Sequence, residues 1–508
     1  KRLRCDRASG LDGVPAEFWR AVLETGSSTS QWVVSFCQKC WSQKAVPDVW
    51  HDARVAMLFK SDDPADCNNY RPISLLCVGY KMFASILLDR LRNAGAERLL
   101  WSTQYGFRRH RSTTDALLLA RRAIEQAWAT REGEVTMLAL DWAKAFDSIS
   151  PAAMSCALRR FGLPDEFVAM VDAIYDNRRF HVKDCGNVST WRTQRFGICQ
   201  GCPLSPFLFV IVMTVMLEDV RDKLVASDAY DTPDDFPSEL VYADDTLILA
   251  MNSKGAQTYM QHVAEEGSKY GLSFNWRKLE TLGVRTVANI TKPDGVRVTQ
   301  KGSIKYLGAM LSDDGRLAAE LGRRIGAARQ EFDTLRRVWK HSSINLPKKL
   351  RILDACVMSK LVYGLSAAAL NQAERRRLDG FQARCLRQVL GIPPAYHSRV
   401  PNTTVLLRAG AQPISTQILK QQMVLMGRVA RGDLGADARR AFFAEGTHRL
   451  RPGSLPRPVG RPRCTWRDSV YQHCLKAAGS EQQLANYFQS GPGAANRWRS
   501  AIVQYLIS

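Results

Sequence analysis

The tetrapeptide Tyr242-Ala243-Asp244-Asp245 stands between the apolar runs Leu240-Val241 and Thr246-Leu247-Ile248-Leu249-Ala250. Two apolar runs joined through so short a polar segment read as a hairpin, whose tip presents both carboxylates where a divalent cation can reach them. A further apolar run, Val135 to Leu140, ends in Asp141. Three carboxylates can then meet at neighbouring strand ends. That is the oxygen donor set needed by two hard cations, about 3.5 to 4 Å apart, that carry out phosphoryl transfer. An Asp pair alone is ordinary turn chemistry, because Asp tolerates turn geometry. Order along the chain decides between the two readings: Asp141, then Gln200-Gly201-Cys202-Pro203-Leu204-Ser205-Pro206, the Asp pair, Lys278, and finally Tyr306-Leu307-Gly308.

The same collinear series resembles the reverse transcriptases of non-LTR (LINE-type) retrotransposons. The resemblance runs from about Ser9 to near Pro394. Its pieces are Ala8-Ser9-Gly10-Leu11-Asp12-Gly13-Val14-Pro15, Asn69-Tyr70-Arg71-Pro72-Ile73-Ser74, Gln104-Tyr105-Gly106-Phe107-Arg108, Leu140-Asp141-Trp142-Ala143-Lys144-Ala145-Phe146-Asp147, the segment from Gly197 to Pro206, and the Tyr-Ala-Asp-Asp box. It implies an α+β right-hand polymerase fold and extension of a DNA 3′-hydroxyl along an RNA template during target-primed reverse transcription. Two alternatives share that palm: a catalytically silent nucleic-acid-binding remnant and a group II intron-type maturase.

By the resemblance Asp141 and Asp244 hold the metals, with Asp245 beside them and the main-chain carbonyl of Trp142 as a further ligand. Two Mg2+ ions are expected, with Mn2+ as a substitute. Lys60 and Arg71 match positions that contact the incoming deoxynucleoside triphosphate, and Gln200 and Gly201 the wall beside the new base pair. Phe146 matches the gate against a ribose 2′-hydroxyl, and Lys278 the lysine that donates a proton to pyrophosphate. Leu279 stands where relatives usually carry Thr. Tyr306, Leu307 and Gly308 resemble the primer grip. The implied partners are an RNA template, a DNA primer or target, and deoxynucleotides, within an intracellular ribonucleoprotein of nucleus and cytoplasm.

Charge is unevenly placed along the 508 residues, whose net charge is +22. From Arg316 onward there are 32 Lys/Arg against 11 Asp/Glu, and before it 39 against 38. An excess confined to one contiguous part points to phosphate contacts. The 13 Cys and the lack of a secretory segment point to reduced thiols, and neither Cys37/Cys40 nor Cys199/Cys202 has the second pair of a zinc site. The longest apolar run, Phe207 to Leu217, is shorter than the roughly 20 residues a membrane span needs, and reads as a buried helix capped by Ser205.

The expected organisation is a helical extension over 1–50, fingers over 51–133, palm over 134–315, helical thumb over 316–411 and a basic region over 412–508. In the thumb, Leu317, Leu321, Ile325, Ala328, Phe332 and Leu335 recur at helical steps. Arg451 to Arg463, rich in Pro, Gly and Arg, reads as an extended linker. Tyr105 and Phe107, among Arg108, Arg109 and Arg111, are candidates for stacking on template bases, with core packing the competing account of Phe107. The tail shows no nuclease signature, so a nuclease is expected before Lys1. The acids Asp433, Asp437, Glu445, Asp468 and Glu481 read as surface charges.

Overall fold

The computed structural model describes residues 5–507 apart from 25, 27, 61, 185, 228–235 and 453–463. The chain folds as two compact units that interleave in sequence: one of Lys1–Arg108, Asp141–Ala229 and Thr258–Lys278, the other of Arg109–Leu140, Tyr230–Gln257 and Leu279–Ser508. Both mix helices and strands, which makes the chain α+β as expected.

In the first unit the helices Ala16–Glu24 and Ser28–Gln43 form the opening extension. The strand Asp52–Phe59 pairs antiparallel with Tyr70–Leu75 and parallel with Arg179–Asp184. The strand Tyr70–Leu75 was not expected from the sequence. Pro72 lies inside it, facing Met57, and interrupts the alternation that marks a strand. The helix Ser205–Ala226 is apolar all round and buried from Phe207 to Leu217, as its sequence requires. Its cap differs from expectation. Leu204 is the N-cap and Ser205 lies inside the helix, buried, its hydroxyl 2.8 Å from that of Tyr175. A hydroxyl so enclosed is satisfied by the nearest polar group, not by the helix amides.

The second unit is built on a sheet of five strands in the order Thr299–Gln300, Glu280–Val284, Val135–Leu140, Asp245–Ala250 and Glu239–Tyr242. Val135–Leu140 lies at its centre, antiparallel to both neighbours. Both faces of this strand are covered, because Met137 and Leu138 point to opposite sides of the sheet and both are fully buried. Ser303–Tyr306 and Ala309–Ser312 make a separate hairpin.

Beyond Ser312 the described residues contain helices and turns but no further strand. The helix Ala318–Thr334 buries Leu321, Ala328 and Phe332, the stripe read from the sequence, against Leu353, Val357 and Leu361. These last three lie along a helix that runs from Leu346–Ile352 through a π turn, Leu353–Met358, into Ser359–Val362. The chain after Gln412 is also folded. Ile414–Ala430, Trp466–Ala478, Glu481–Phe488 and Ala494–Ile507 pack around Trp466, Phe488 and Trp498. Most of the expected linker, 453–463, lies outside the described residues. No described helix is long and apolar enough to cross a membrane.

Candidate active site

Strand pairing explains where the acidic box sits. Glu239–Tyr242 and Asp245–Ala250 pair so that Tyr242 faces Asp245, leaving Ala243 and Asp244 as a two-residue turn. Ala243 takes a left-handed backbone, φ 59, as such hairpin turns demand. Asp244 is half-buried in the turn and Asp245 is exposed at the first position of its strand. On the neighbouring strand Leu140 is paired with Thr246, and one peptide bond carries the chain on to Asp141.

Asp141 is anchored within the first unit. Its carbonyl accepts from the Asn275 amide at 2.7 Å, and the Ala143 amide donates to Ser273 at 2.8 Å. That bridge does not consume the Trp142 carbonyl. The Trp142 indole is buried, 4.4 Å from the ring of Phe274, which fixes the backbone on either side. The Asp141 carboxylate stays accessible, with Lys278 Nζ 3.9 Å from Oδ2 and the side chains 41% and 69% exposed. An ion pair that open contributes little to stability. Lys278 is therefore held near Asp141 but not locked there.

The residues expected to meet the triphosphate gather in the first unit. Lys60 follows directly on the Phe59–Tyr70 pair, Arg71 faces Leu58, and both are exposed. The Ser74 amide donates to the Gln200 carbonyl at 2.8 Å, tying that strand to the Gln-Gly segment. Gly201 has φ 127, and a Cβ there would sit 2.5 Å from the Ser74 carbonyl oxygen, so no other residue fits. Gln200 Nε2 donates to Asp147 Oδ1 at 3.0 Å. Partial burial lifts the Asp147 carboxyl above its ordinary range, while Gln200, Lys144 and Lys60 pull it back. Phe146 stacks on Phe209 at 4.3 Å and meets Phe107 edge-on at 6.1 Å. Asp147 ends the Ala-Phe-Asp motif, but its bond to Gln200, 53 residues on, carries no local sequence signal.

The surroundings of Tyr105 correct another expectation. Its side chain is 2% exposed, which removes it from any template surface. Arg108 donates to the carbonyls of Trp101, Gln104 and Glu97, so this basic residue holds its own loop together. Phe107 is 42% exposed and also packs on Phe146.

In the second unit Tyr306 is paired with Ala309, and Leu307 and Gly308 form the two-residue turn between them, with φ 44 and φ 72. Tyr306 is buried and its hydroxyl donates to the Leu240 carbonyl at 2.9 Å, joining the turn to the strand that leads into the acidic box. A clamp with no local sequence signature surrounds the turn. Tyr363 donates to the Leu307 carbonyl at 2.9 Å, and Arg323 to the Gly308 carbonyl at 2.7 Å. Arg324 bonds the same Gly308 carbonyl, and its guanidinium lies 4.6 Å from the Tyr363 ring centre. Buried Glu320 accepts from both arginines. Burial pushes the nearby Arg121 guanidinium down to about 10, and Glu320 opposes the shift.

Residues 59–311 match the family model described as Reverse transcriptase (RNA-dependent DNA polymerase). The chain carries a reverse transcriptase domain over these residues, and the relatives it matches are RNA-directed DNA polymerases and Pol polyproteins of transposable elements. It is 25% identical over 434 residues to the probable RNA-directed DNA polymerase from transposon BS of Drosophila melanogaster, covering 82% of this chain and 46% of that protein. To a Pol polyprotein from the type-1 retrotransposable element R2 of Nasonia vitripennis it is 24% identical, over 83% and 42%. To the RNA-directed DNA polymerase from mobile element jockey of Drosophila melanogaster it is 26% identical, over 68% and 38%. This reverse transcriptase chain therefore spans less than half the length of these relatives. Among solved structures, apo telomerase from Candida tropicalis, truncated from its C-terminal domain, aligns over 59% of each chain with 10% identity and a TM-score of 0.37.

Reverse transcriptases use divalent cations. Asp141, Asp244 and Asp245 offer oxygen donors only, as a hard cation requires. Among the described residues no three His, Cys, Asp or Glu side chains gather closely enough to hold an ion by themselves. Magnesium suits such a donor set, because it takes one or two carboxylates and completes its shell with substrate phosphates and water. The described cysteines are free thiols, and burial pushes Cys37 up to about 11, away from the thiolate that zinc would need.

Proposed function

We propose that this reverse transcriptase domain extends a DNA 3′-hydroxyl along an RNA template by phosphoryl transfer, within a non-LTR element that inserts by target-primed reverse transcription. The observation that carries the reading is the strand register. It sets the Ala243-Asp244 turn beside the end of Val135–Leu140, from which the chain passes to Asp141. Two Mg2+ ions bound by Asp141 and Asp244, with Asp245 and the Trp142 carbonyl in support, would neutralise charge at the attacking and leaving oxygens.

The chain's own residues do the positioning, which phosphoryl transfer needs more than covalent chemistry. Lys60 and Arg71 would hold the triphosphate, two exposed cations at one end of one hairpin. Gln200, fixed by Asp147 and the Ser74 amide, would line the new base pair. The Phe146 ring, stacked on Phe209, would fill the space of a ribose 2′-hydroxyl. Lys278, exposed and near Asp141, can give a proton to the departing pyrophosphate. Tyr306, Leu307 and Gly308 would place the primer end, and RNA template, DNA primer and deoxynucleotides are the ligands.

The test is extension of a DNA primer annealed to RNA with magnesium and deoxynucleotides. Template-directed cDNA is the expected product. Nucleic-acid binding without extension would return the chain to a silent remnant.

A further inference from the structure

The polymerase reading makes no use of the last helices of the second unit. Trp466–Ala478, Glu481–Phe488 and Ala494–Ile507 pack on one another and on Ile414–Ala430. Trp498, fully buried, meets Phe488 edge-on at 5.5 Å and donates its indole N–H to the Met423 carbonyl at 2.9 Å. The face of Ala494–Ile507 that carries Trp498, Ala501 and Ile502 is thereby fixed inward.

Its other face is exposed and carries bases and neutral polar groups without an acid, with Val503 and Ile507 exposed on the same arc towards the C-terminal end. Asn496, Arg497, Arg499, Ser500 and Gln504 all lie on it. Helix geometry sets these five on one contiguous arc. Solvated helix faces usually mix acids with bases at three- and four-residue steps, which stabilises the helix. This helix has no acid at all, and from Ser469 to Ser508 Glu481 is the sole acid, engaged by Arg449 at 3.1 Å. One Arg497 N–H donates to the Pro492 carbonyl at 3.0 Å, and a guanidinium has further donors to offer.

The side-chain types on this face are those that read base edges: Arg pairs with guanine, and Asn or Gln with adenine. Asn496, Arg497, Arg499 and Ser500 fall in the first two turns, the part of a recognition helix that reaches the bases. A short helix, Glu481–Phe488, precedes it across the connection Gln489 to Gly493, in which Gly493 has φ 72. Two helices joined through a glycine turn, the second exposing its reading face, are the plan of helix-turn-helix modules. We infer that Ala494–Ile507 is a recognition helix that enters the major groove of duplex DNA. B-form DNA offers a groove about 12 Å wide that admits a helix. The major groove of A-form RNA is too narrow and deep for one, so duplex DNA is the ligand.

The inference stands apart from the polymerase reading and is tested by binding alone. The full chain and its Asn496→Ala/Arg497→Ala/Arg499→Ala variant are titrated by fluorescence anisotropy against the DNA duplex that the full chain selects from a randomised pool and against an RNA duplex of the same length. Alanine favours helix, and all three positions are exposed, so an unchanged melting temperature should accompany the triple change. The expected result is a loss of roughly tenfold or more on DNA with a change of less than about twofold on RNA. A second variant, Arg497→Lys/Arg499→Lys, keeps the charge and removes the planar fork. It should lose several-fold on DNA, about half of the full effect in logarithmic terms. Unchanged DNA affinity in the alanine variant, or equal losses on DNA and RNA, would overturn the inference. So would wild-type DNA affinity in the lysine variant, because backbone charge alone would then account for binding.

Discussion

The Tyr363 hydroxyl donates to the Leu307 carbonyl at 2.9 Å and lies 3.2 Å from Thr113 Oγ1. The bond ties the end of the π-containing helix to a turn whose two residues both have positive φ. Tyr363→Phe keeps the ring under Arg324 and removes the hydroxyl's bonds to Thr113 and to the turn, the latter worth about 1 kcal/mol. If this turn places the primer, the KM for primer-template should rise about fivefold while single-nucleotide kcat stays within about twofold. Steady-state and single-turnover extension separate the two. A fall in kcat alone would contradict the positioning role.

Phe146 rests its ring on Phe209 and its edge near Phe107. Phe146→Val should leave deoxynucleotide use within a few-fold and raise ribonucleotide incorporation by roughly tenfold or more, through loss of a clash. Competitive incorporation of the two sugars measures it. An unchanged ratio would assign the ring to packing alone.

Gly201 fixes the spacing between the Gln-Gly segment and the strand that carries Arg71. With φ 127 and the Ser74 oxygen 2.5 Å from a would-be Cβ, Gly201→Ala must displace that strand. The KM for deoxynucleotide should rise by about tenfold or more, with primer-template affinity unchanged. Nucleotide titration at saturating primer-template gives the answer.

Glu125 supplies a stability prediction with a definite sign. Burial raises its carboxyl above the usual range, and Arg122 and the Trp466 amide offset only part of this. Its Oε1 accepts from the Trp466 amide at 2.8 Å, while Oε2 is buried without a partner. A folded carboxyl with a raised pKa holds its proton to higher pH than the unfolded chain does. Stability is therefore lost as pH rises from the ordinary carboxylate range through the folded value. Glu125→Gln keeps an acceptor for Trp466 and carries no charge. Its melting temperature should exceed wild type at pH 7 to 8, and the gain should vanish near pH 4. A variant that melts lower at neutral pH would contradict this account.

The acidic box, its flanking strands and the helical stripe from Leu317 to Leu335 were legible because each is a local pattern of apolar residues and punctuation. Strand register then follows from alternation. The strand Tyr70–Leu75 was obscured by Pro72, and the burial of Tyr105 by a run of neighbouring arginines. Nothing local announces the clamp of Arg323, Arg324 and Tyr363, because its members lie far along the chain from the turn they hold. In the C-terminal region the excess of Lys and Arg masks the packing. In fact Arg428 pairs with buried Asp115 at 2.8 Å, and the Trp466 amide donates to Glu125 on the helix Thr113–Ala129. Residues 316–508 are therefore an integral part of the second unit, and deleting them would unmake it.

The central claim is that Asp244, in the turn beside the end of Val135–Leu140, is a metal ligand of an RNA-directed DNA polymerase. The direct measurement is magnesium-dependent extension of a DNA primer on RNA by the wild-type chain and by Asp244→Ala, with primer-template affinity recorded for both. The wild type should extend, and Asp244→Ala should lose about a thousandfold or more of the rate with affinity unchanged within about threefold. Near-normal extension by Asp244→Ala would contradict the account.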